Sequence, residues 1–333
     1  MEKITSVDWP LYPVPYMPIF NCKKHPSHQG SALISALCIM AIVAIAATTL
    51  SLRVQLESYR AQLTFTYDKL SLAAQAVSFW AMDAISNTPK KPWVSQDNMG
   101  KVLTFPEKWQ TIYPETRLSG ALYDLQSRFN VNNLINRNSH PVFLRLLDTL
   151  TPPLATAEKQ VLLANIFHWI NPPQEGQGQT PQTAIYLTSK PPYLPSQQFM
   201  AHLSELRLVK GMEKRYQSLT SVTTALPEET PINLNTASAR VMAALGKGLG
   251  EDGIGALLKA RGKKGFKTTQ AASPLLKKYQ ISPEQITLES SYFLSVAVAE
   301  NERMKLTVYT VLKREWRKKT TKISIVSQTI NTG

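Results

Sequence analysis

Cysteine is nearly absent from this chain of 333 residues. Of its two cysteines, Cys22 precedes a long apolar run and Cys38 lies within that run. The remainder of the chain has no cysteine and forms no disulfide, so a hydrophobic core alone must stabilise it. The five histidines are scattered, and no cluster of histidine and cysteine has the spacing of a zinc site.

Patterns that are typical of enzymes are missing as well. We find no Gly-x-Ser-x-Gly elbow, no phosphate-binding Gly-x-x-x-x-Gly-Lys loop and no His-Glu-x-x-His pair. His140, His168 and His202 have no obvious catalytic partners, and His168 beside Trp169 is typical of a side chain at the edge of a core. The sequence therefore predicts a protein that is not an enzyme.

Charged residues make up only 18% of the chain against 43% apolar residues, which is the composition of a folded protein. The charge is uneven in sign, since 37 basic residues oppose 23 acidic ones and leave a net charge of +14. The densest basic run is Lys313–Lys319. Such a run is a phosphate-binding patch, a solvated face, or a contact for acidic partners or lipid headgroups.

An uncharged run of 22 residues, 31–52, lies near the N-terminus. As a helix it would be about 33 Å long, which is the thickness of a bilayer core. Lys23 and Lys24 precede it, so the positive-inside tendency places residues 1–30 in the cytoplasm and the rest outside. A secretory leader instead has a shorter apolar core that is followed by its cleavage site. The run predicts a membrane helix that begins the mature protein after cleavage at Gly30, or alternatively an uncleaved single-pass anchor.

The helical pattern continues beyond the membrane run. Apolar residues recur at seven-residue spacing, at Leu56, Leu63, Leu70 and Val77. This spacing predicts a continuous helix with an amphipathic stripe, of coiled-coil or core-facing type, to about Ile85, before Pro89 and Pro92 end it.

The rest of the chain predicts an α+β fold in which an antiparallel sheet packs on the C-terminal half of the long helix. Alternation over 118–134 predicts a strand or hairpin, and residues 292–299, 305–312 and 322–327 predict three strands of a meander. We expect helices over 138–171 and 200–226, a loop with short helical pieces over 86–117, and a loop over 171–198. The predicted divisions are a leader at 1–30, a helix at 31–85 with its transmembrane part at 31–52, an α/β domain at 86–135 and 286–333, and an inserted α-helical domain at 136–285.

Five phrases, in one order along the chain, resemble a known family. They are Gly30-Ser-Ala-Leu-Ile34, Asp124-Leu-Gln-Ser-Arg-Phe-Asn-Val-Asn-Asn-Leu134, Ser204-Glu-Leu-Arg-Leu-Val-Lys-Gly211, Val222-Thr-Thr-Ala-Leu226 and Pro231-Ile-Asn-Leu-Asn-Thr-Ala237. Together they are similar to the large minor pseudopilin of type II secretion systems, the K family. The resemblance implies a pilin-like α/β domain with a large inserted α-domain, which agrees with the architecture predicted from periodicity.

The resemblance also implies a processing route, a location and partners. Prepilin peptidase would cut after Gly30, and the new amine of Ser31 would be methylated. The chain would be held in the inner membrane with its globular part in the periplasm, at the tip of the pseudopilus that serves protein export across the outer membrane. The implied partners are the I and J minor pseudopilins, with the major pseudopilin and the inner-membrane assembly platform as further contacts.

Ser35 departs from the pattern of the major subunits. Major pilins and pseudopilins resemble one another in having Glu at the fifth mature position, which is Ser35 here. A glutamate there could pair with the N-terminal amine of the subunit beneath it and lower the cost of burying both charges in lipid. The K resemblance implies that Ser35 marks a tip subunit that needs no neighbour above it. Alternatively, Ser35 is a small residue that packs against another membrane helix.

Calcium is the one cofactor that the resemblance implies. In the family it is associated with acidic residues that follow a tryptophan in the inserted domain, and the matching place here reads Trp169-Ile-Asn-Pro-Pro-Gln-Glu175. Asn171 offers a carbonyl and Glu175 a carboxylate, but two prolines stand where acids would be expected. We expect this calcium site to be lost or weakened.

Residues 232–266 resemble a helix-hairpin-helix, or SAM-like, unit, which often grips DNA phosphates through backbone N–H groups of a glycine-rich turn. In this interpretation Asn235 or Thr236 caps the first helix, and Gly253 and Gly255 form the turn. Basic residues stand close by, at Lys259, Arg261, Lys263 and Lys264. The alternative hypothesis is therefore a membrane-anchored DNA-binding protein of a DNA-uptake or type IV pilus system. Because the same small fold makes protein contacts in the K family, nucleic acid is not the expected partner.

Overall fold

The computed structural model describes residues 31–87, 92–172, 181–316 and 321–331. The chain divides into two compact units, Met1–Gln62 and Leu63–Gly333. The predicted leader, including Gly30, lies outside the described residues.

The helices, in chain order, are α1 (Ser31–Ser86), α2 (His140–Asp148), α3 (Thr156–Ile170), α4 (Pro181–Leu187), α5 (Tyr216–Leu219), α6 (Ala239–Leu245), α7 (Glu251–Arg261) and α8 (Thr269–Lys278). The strands are β1 (Lys101–Thr104), β2 (Arg117–Asp124), β3 (Phe129–Asn130), β4 (Thr223–Thr224), β5 (Ile232–Asn233), β6 (Ile286–Thr287), β7 (Tyr292–Glu300), β8 (Lys305–Trp316) and β9 (Thr321–Ile330).

Helix α1 has the continuity that the sequence predicts. It begins at Ser31, and its end at Ser86 confirms the predicted end near Ile85. Residues 31–62 contribute to the first unit and residues 63–86 to the second. Every residue of the uncharged run is exposed, and among the described residues α1 is the one helix that is long and apolar enough to cross a membrane.

A five-stranded antiparallel sheet forms the centre of the second unit. Its strand order is β1-β2-β7-β8-β9, and the three C-terminal strands confirm the predicted meander. Strand β1 was missed, because its four residues are too few to show a period and lie in a stretch that is rich in proline and asparagine. The expectation of a loop over 86–117 was therefore wrong at this strand.

Residues 63–86 of α1 pack on one face of this sheet through small side chains. The buried positions of α1 are Leu70, Ala73, Ala74, Val77, Ser78, Ala81 and Ile85. Gly120 in β2 allows the closest approach, since a Cβ there would lie 2.6 Å from Val77 Cγ1 and 2.5 Å from the Val296 carbonyl oxygen. The sheet and the helix are thus in direct contact at a position that only glycine permits.

The helical insert occupies residues 125–291, between β2 and β7, which are neighbours in the sheet. Its hydrophobic core runs from Phe129 to Ile286, so the insert begins before the predicted residue 136. Helices α2 and α3 confirm the helical prediction over 138–171. The insert also contains two short parallel strand pairs, β3 with β4 and β5 with β6, and is therefore not purely helical.

Three predictions over irregular segments were wrong. The alternating pattern over 118–134 is a strand only to Asp124, after which residues 125–127 and 131–135 form 3₁₀ turns. The region 200–226 contains a 3₁₀ turn at 203–208 and only the short α5, and the predicted loop over 171–198 contains α4. In the first case local side-chain hydrogen bonds replace the strand ladder, because Asp124 and Asn130 accept from the backbone N–H two residues on.

Candidate assembly surfaces

The part of α1 in the second unit has a second apolar face that is not covered. Phe65, Leu72 and Phe79 expose 75%, 64% and 64% of their surface. Leu72 follows the buried Leu70 by two residues, which is about 200° around a helix, so it faces away from the sheet. We call this row of three residues at seven-residue spacing the exposed stripe. Large apolar residues in one row of a helix are typical of a surface that packs against another helix.

Ser35 lies near the start of α1, where its hydroxyl is satisfied within its own helix. Ser35 Oγ donates to the Ser31 carbonyl oxygen at 2.8 Å, as Thr48 and Thr49 Oγ1 do to carbonyls one turn earlier. A hydroxyl bonded in this way can enter lipid without a polar group from a neighbouring chain. The geometry is therefore compatible with a position that has no charged partner.

A buried carboxylate joins the end of β2 to the helical insert. Asp124 is 1% exposed, and its Oδ2 accepts hydrogen bonds from Ser290 Oγ (2.6 Å), Thr236 Oγ1 (2.6 Å) and Asn233 Nδ2 (3.0 Å). Its Oδ1 accepts from the Gln126 backbone N–H at 2.8 Å. Burial raises the pKa of the Asp124 carboxyl, while the hydrogen bonds from Ser290 and Thr236 act in the opposite direction. This cluster, which we call the Asp124 hub, connects the sheet with both ends of the insert.

The amide side chains that follow Asp124 continue this network into the insert. Gln126 Nε2 donates to the Pro231 carbonyl oxygen at 2.9 Å. Asn132, which is fully buried, donates to the carbonyl oxygens of Met200 and Leu226 and accepts from the Met200 N–H. The polar residues of 124–134 therefore satisfy backbone groups of distant loops, which explains why they are buried without regular secondary structure.

A second polar contact links the insert to strands β7 and β8. Glu228 Oε1 accepts from Tyr292 Oη at 2.7 Å and pairs with Lys313 Nζ at 3.0 Å. The hydrogen bond from Tyr292 lowers the pKa of Glu228, and burial raises the pKa of Tyr292 to about 12. The hydrogen bond with Glu228 raises the pKa of Lys313. Lys313 is therefore engaged within the protein rather than presented by a free basic run.

Arg314, the next residue of that run, is also part of the structure. It is buried, its Nη2 donates to the Ser290 carbonyl oxygen at 2.5 Å, and its guanidinium lies 5.1 Å from the ring centre of Phe293 and 4.3 Å from that of Trp316. Residues 317–319 lie outside the described residues. Within the described part of the run, Lys313 and Arg314 therefore make internal contacts, which disfavours the interpretation of this run as a phosphate-binding patch.

The predicted glycine turn was assigned to the wrong glycines. Gly253 and Gly255 lie inside α7, which begins at Glu251 with Gly250 as its N-cap. The turn between α6 and α7 is instead 246–250, where Gly248 has φ +68°. A positive φ is what favours glycine in a tight turn, and neither Gly253 nor Gly255 has one.

The predicted cap of α6 was wrong as well. Ser238 is the N-cap, and its Oγ accepts from the Val241 N–H at 3.4 Å. Asn235 instead bonds the backbone of Phe266, while Thr236 donates to Asp124. Both candidates are therefore used for long-range contacts rather than for the local cap.

The calcium prediction concerns Asn171 and Glu175. Asn171 ends α3, and its N–H donates to the Phe167 carbonyl oxygen at 2.9 Å. Glu175 lies outside the described residues. Among the residues that are described, no three His, Cys, Asp or Glu side chains are placed to hold a metal ion. Loss or weakening of a calcium site at this place stays a prediction.

The helical insert matches known protein families. Residues 127–228 and 232–289 match two family models that are both described as "Type II secretion system (T2SS), protein K". By these matches the chain is similar to the type II secretion system protein K family. The matched ranges cover almost the whole helical insert, so the family signal coincides with the part of the fold that interrupts the sheet.

Individual proteins with similar sequences support the same family. Type II secretion system protein K of Pseudomonas aeruginosa is 29% identical over 257 residues, with 72% of this chain and 74% of the relative covered. Its counterpart in Aeromonas hydrophila is 28% identical over 312 residues, covering 84% and 90%. Protein K is a minor pseudopilin, a structural component of the secretion apparatus.

A solved structure supports the pilin-like α+β fold. A chain in the crystal structure of the GspK-GspI-GspJ complex from enterotoxigenic Escherichia coli aligns with a TM-score of 0.66 and 20% identity. The alignment covers 82% of this chain and all of that chain. At this identity the likeness establishes the fold, in which a long N-terminal helix accompanies an antiparallel sheet.

Two features of the candidate surfaces were missed by sequence reasoning. The exposed stripe has a detectable signal, since Phe65, Leu72 and Phe79 repeat every seven residues just as the buried stripe does. In the sequence, Asp124 stands out only as the first residue of the run 124–134 that resembles the K family. No local pattern marks its burial, because its partners Thr236 and Ser290 are 112 and 166 residues away along the chain.

Proposed function

We propose that this chain is a protein K family member that sits at the tip of a type II secretion pseudopilus, in a complex with the I and J minor pseudopilins, and starts and caps its assembly. The exposed stripe of α1 is the observation that carries the proposal. It is a row of large apolar side chains on the helix face opposite the sheet, as a helix-to-helix contact between subunits requires. The composition of the solved complex, which pairs GspK with GspI and GspJ, supports the identity of the partners.

The size of the insert supports an end position. Residues 125–291 lie between two neighbouring strands, and the Asp124 hub ties both ends of this segment to the sheet, through Gln126 and Ser290. We infer that so large an attachment leaves no room for a further subunit above it, so that the chain ends the fibre. Pilin-like subunits that lack such an insert would then be added only beneath this chain.

Processing and location follow the same proposal. Prepilin peptidase cuts after Gly30, and the amine of Ser31 is methylated. Helix α1 then anchors the chain in the inner membrane, with the globular part in the periplasm and the major pseudopilin and assembly platform as further contacts. An intact mass that corresponds to a chain beginning at Ser31 would support this route, and an N-terminus within residues 1–30 would contradict it.

The region of α6 to α8 is proposed as a helix-hairpin-helix-like protein-contact unit rather than a DNA grip. The first turn of α7 carries Glu251 and Asp252, whose charges repel phosphate from the helix N-terminus. Arg261, one of the basic residues close to the predicted turn, donates to the Ala237 carbonyl oxygen at 2.8 Å. These contacts disfavour the DNA-uptake alternative.

The test of the proposed function is a binding measurement with DNA as the parallel ligand. The full-length chain in neutral detergent is mixed with the I and J pseudopilins, and the complex is measured by analytical ultracentrifugation. A ternary complex with only salt-sensitive, sequence-independent DNA binding is the expected result. Absence of the protein complex together with tight DNA binding would favour DNA uptake instead.

Ser35→Glu is expected to leave membrane insertion intact but to disturb tip placement. A glutamate at this position could pair with the N-terminal amine of another subunit and allow the chain into the body of the fibre. Fibre-end labelling and secretion assays measure the effect, with Ser35→Ala as the matched control that also removes the hydroxyl. Normal labelling and normal secretion in the Ser35→Glu variant would count against a role of this position in tip placement.

A further inference from the structure

Half of the net charge of the protein is concentrated in one small part of the insert. Residues 239–281 contain nine basic and two acidic side chains, a net charge of +7 out of +14. Four exposed lysines lie at the end of α7 and in the loop that follows it, and we call them the lysine patch: Lys259, Lys263, Lys264 and Lys267. None of them takes part in the ion pairs found in the described part of the chain.

The loop that carries the patch is held in place by buried groups. Asn235 Nδ2 donates to the Phe266 carbonyl oxygen at 3.0 Å, and the Phe266 N–H donates to Asn235 Oδ1 at 2.7 Å. The Phe266 ring is buried, and Gly265, with φ +69°, packs so closely that a Cβ would lie 3.0 Å from Asn235 Oδ1. Arg261 fastens the end of α7 through its bond to Ala237. Because this backbone is already ordered, a ligand of the lysines would not have to order it on binding.

The surroundings of the patch select among anionic ligands. A phosphate backbone is disfavoured, since the positive end of α7 is occupied by Glu251 and Asp252 and lies about 12 Å along the helix from Lys259, the nearest lysine of the patch. A bilayer surface is disfavoured because residues 209–315, all of them described, expose no large apolar side chain that could enter the lipid interface. The remaining ligand class is a surface rich in carboxylates, which complements lysine without an apolar wedge.

We propose that the lysine patch is a docking surface for the acidic face of a partner protein, separate from the exposed stripe that is assigned to the I and J pseudopilins. Lysine side chains on a fixed loop would speed the encounter with such a face and orient it. The contact deepens the protein-contact role that the proposed function gives to α6 to α8 and rests on it, because it names the charge of the partner surface.

The experiment measures binding of poly-L-glutamate to the full-length chain in neutral detergent at about 150 mM salt, where weak long-range attraction is screened. Duplex DNA and phosphatidylglycerol vesicles are the parallel probes. The test variant carries Lys259→Gln, Lys263→Gln and Lys264→Gln. We expect saturable binding of poly-L-glutamate to the unmodified chain and a loss of about tenfold in affinity in the variant.

The matched control removes the same charge elsewhere, by Lys190→Gln, Lys210→Gln and Lys214→Gln, three exposed lysines of the insert. We expect the control to bind as the unmodified chain does, and the test variant to keep its complex with the I and J pseudopilins. Equal losses in both variants would show that diffuse charge alone attracts the probe and would overturn the proposal. Tighter binding of DNA or of the vesicles than of poly-L-glutamate would overturn it as well.

Discussion

Asp124→Ala is expected to lower the free energy of unfolding by about 3–5 kcal/mol, the cost of leaving several buried donors without an acceptor. The change removes the acceptor of four hydrogen bonds, from Ser290, Thr236, Asn233 and the Gln126 N–H. The site is 1% exposed, so water does not replace the lost acceptor without entering the junction. Thermal unfolding of the full-length chain, followed by tryptophan fluorescence, should show a Tm lower by about 10 °C.

Two further variants serve as controls for the Tm of Asp124→Ala. Asp68→Ala, on an exposed position of α1, should leave the Tm unchanged, because Asp68 takes part in none of the hydrogen bonds or ion pairs found among the described residues. Asp124→Asn should lie between the two, since its carbonyl oxygen retains part of the acceptor capacity while its amide opposes the Asn233 donor. A Tm of Asp124→Ala within 2 °C of the unmodified chain would mean that the hub does not hold the insert on the sheet.

The second large effect is expected at the exposed stripe. Leu72→Glu together with Phe79→Glu should weaken binding of the I and J pseudopilins at least about 100-fold, because two central apolar anchors would be replaced by charges that the interface would desolvate. Both residues expose 64% of their surface in the free chain, and glutamate is a good helix former. The Tm of the double variant should therefore be unchanged while the complex is lost, which separates the contact from folding.

The control for the stripe is a pair of equally exposed apolar residues elsewhere. Ile112 and Val161 expose 61% and 57% of their surface and lie outside α1. Ile112→Glu with Val161→Glu should bind the I and J pseudopilins as the unmodified chain does. If the control pair and the stripe pair weakened binding alike, or if the stripe pair had no effect, the assignment of the stripe as the partner surface would be wrong.

The helix-hairpin-helix prediction shows how a correct pattern can receive wrong residues. Two helices joined by a glycine-containing turn do occur at α6 and α7, but the turn lies at 246–250 rather than at Gly253 and Gly255. Seven glycines stand in residues 246–265, so composition alone offers several possible turns. Only the backbone dihedral of Gly248 identifies the turn, and dihedrals depend on the packing of the flanking helices.

The junction between sheet and insert was beyond prediction for a related reason. The partners of Asp124 in the hub include Asn233 and Ser290, which are 109 and 166 residues away along the chain. Periodicity reports only on neighbours within a few turns or strands. A polar residue that is buried by distant partners therefore looks the same in the sequence as one that is exposed on a loop.

The sequence by itself determined the long helix from its uncharged run and seven-residue repeat, the three C-terminal strands from their alternation, and helices α2 and α3 of the insert. These signals are local, because each element shows its own period along the chain. The sequence marks the row of Leu70 and Val77, but only the tertiary structure decided that the sheet buries this row and that a second row stays exposed. Leu70 and Val77 repeat every seven residues, as Leu72 and Phe79 do, yet the sheet covers only the first pair. The physical reason is that burial is settled by the close approach of Gly120 and the neighbouring strands to one side of the helix, which leaves the other side exposed for a partner.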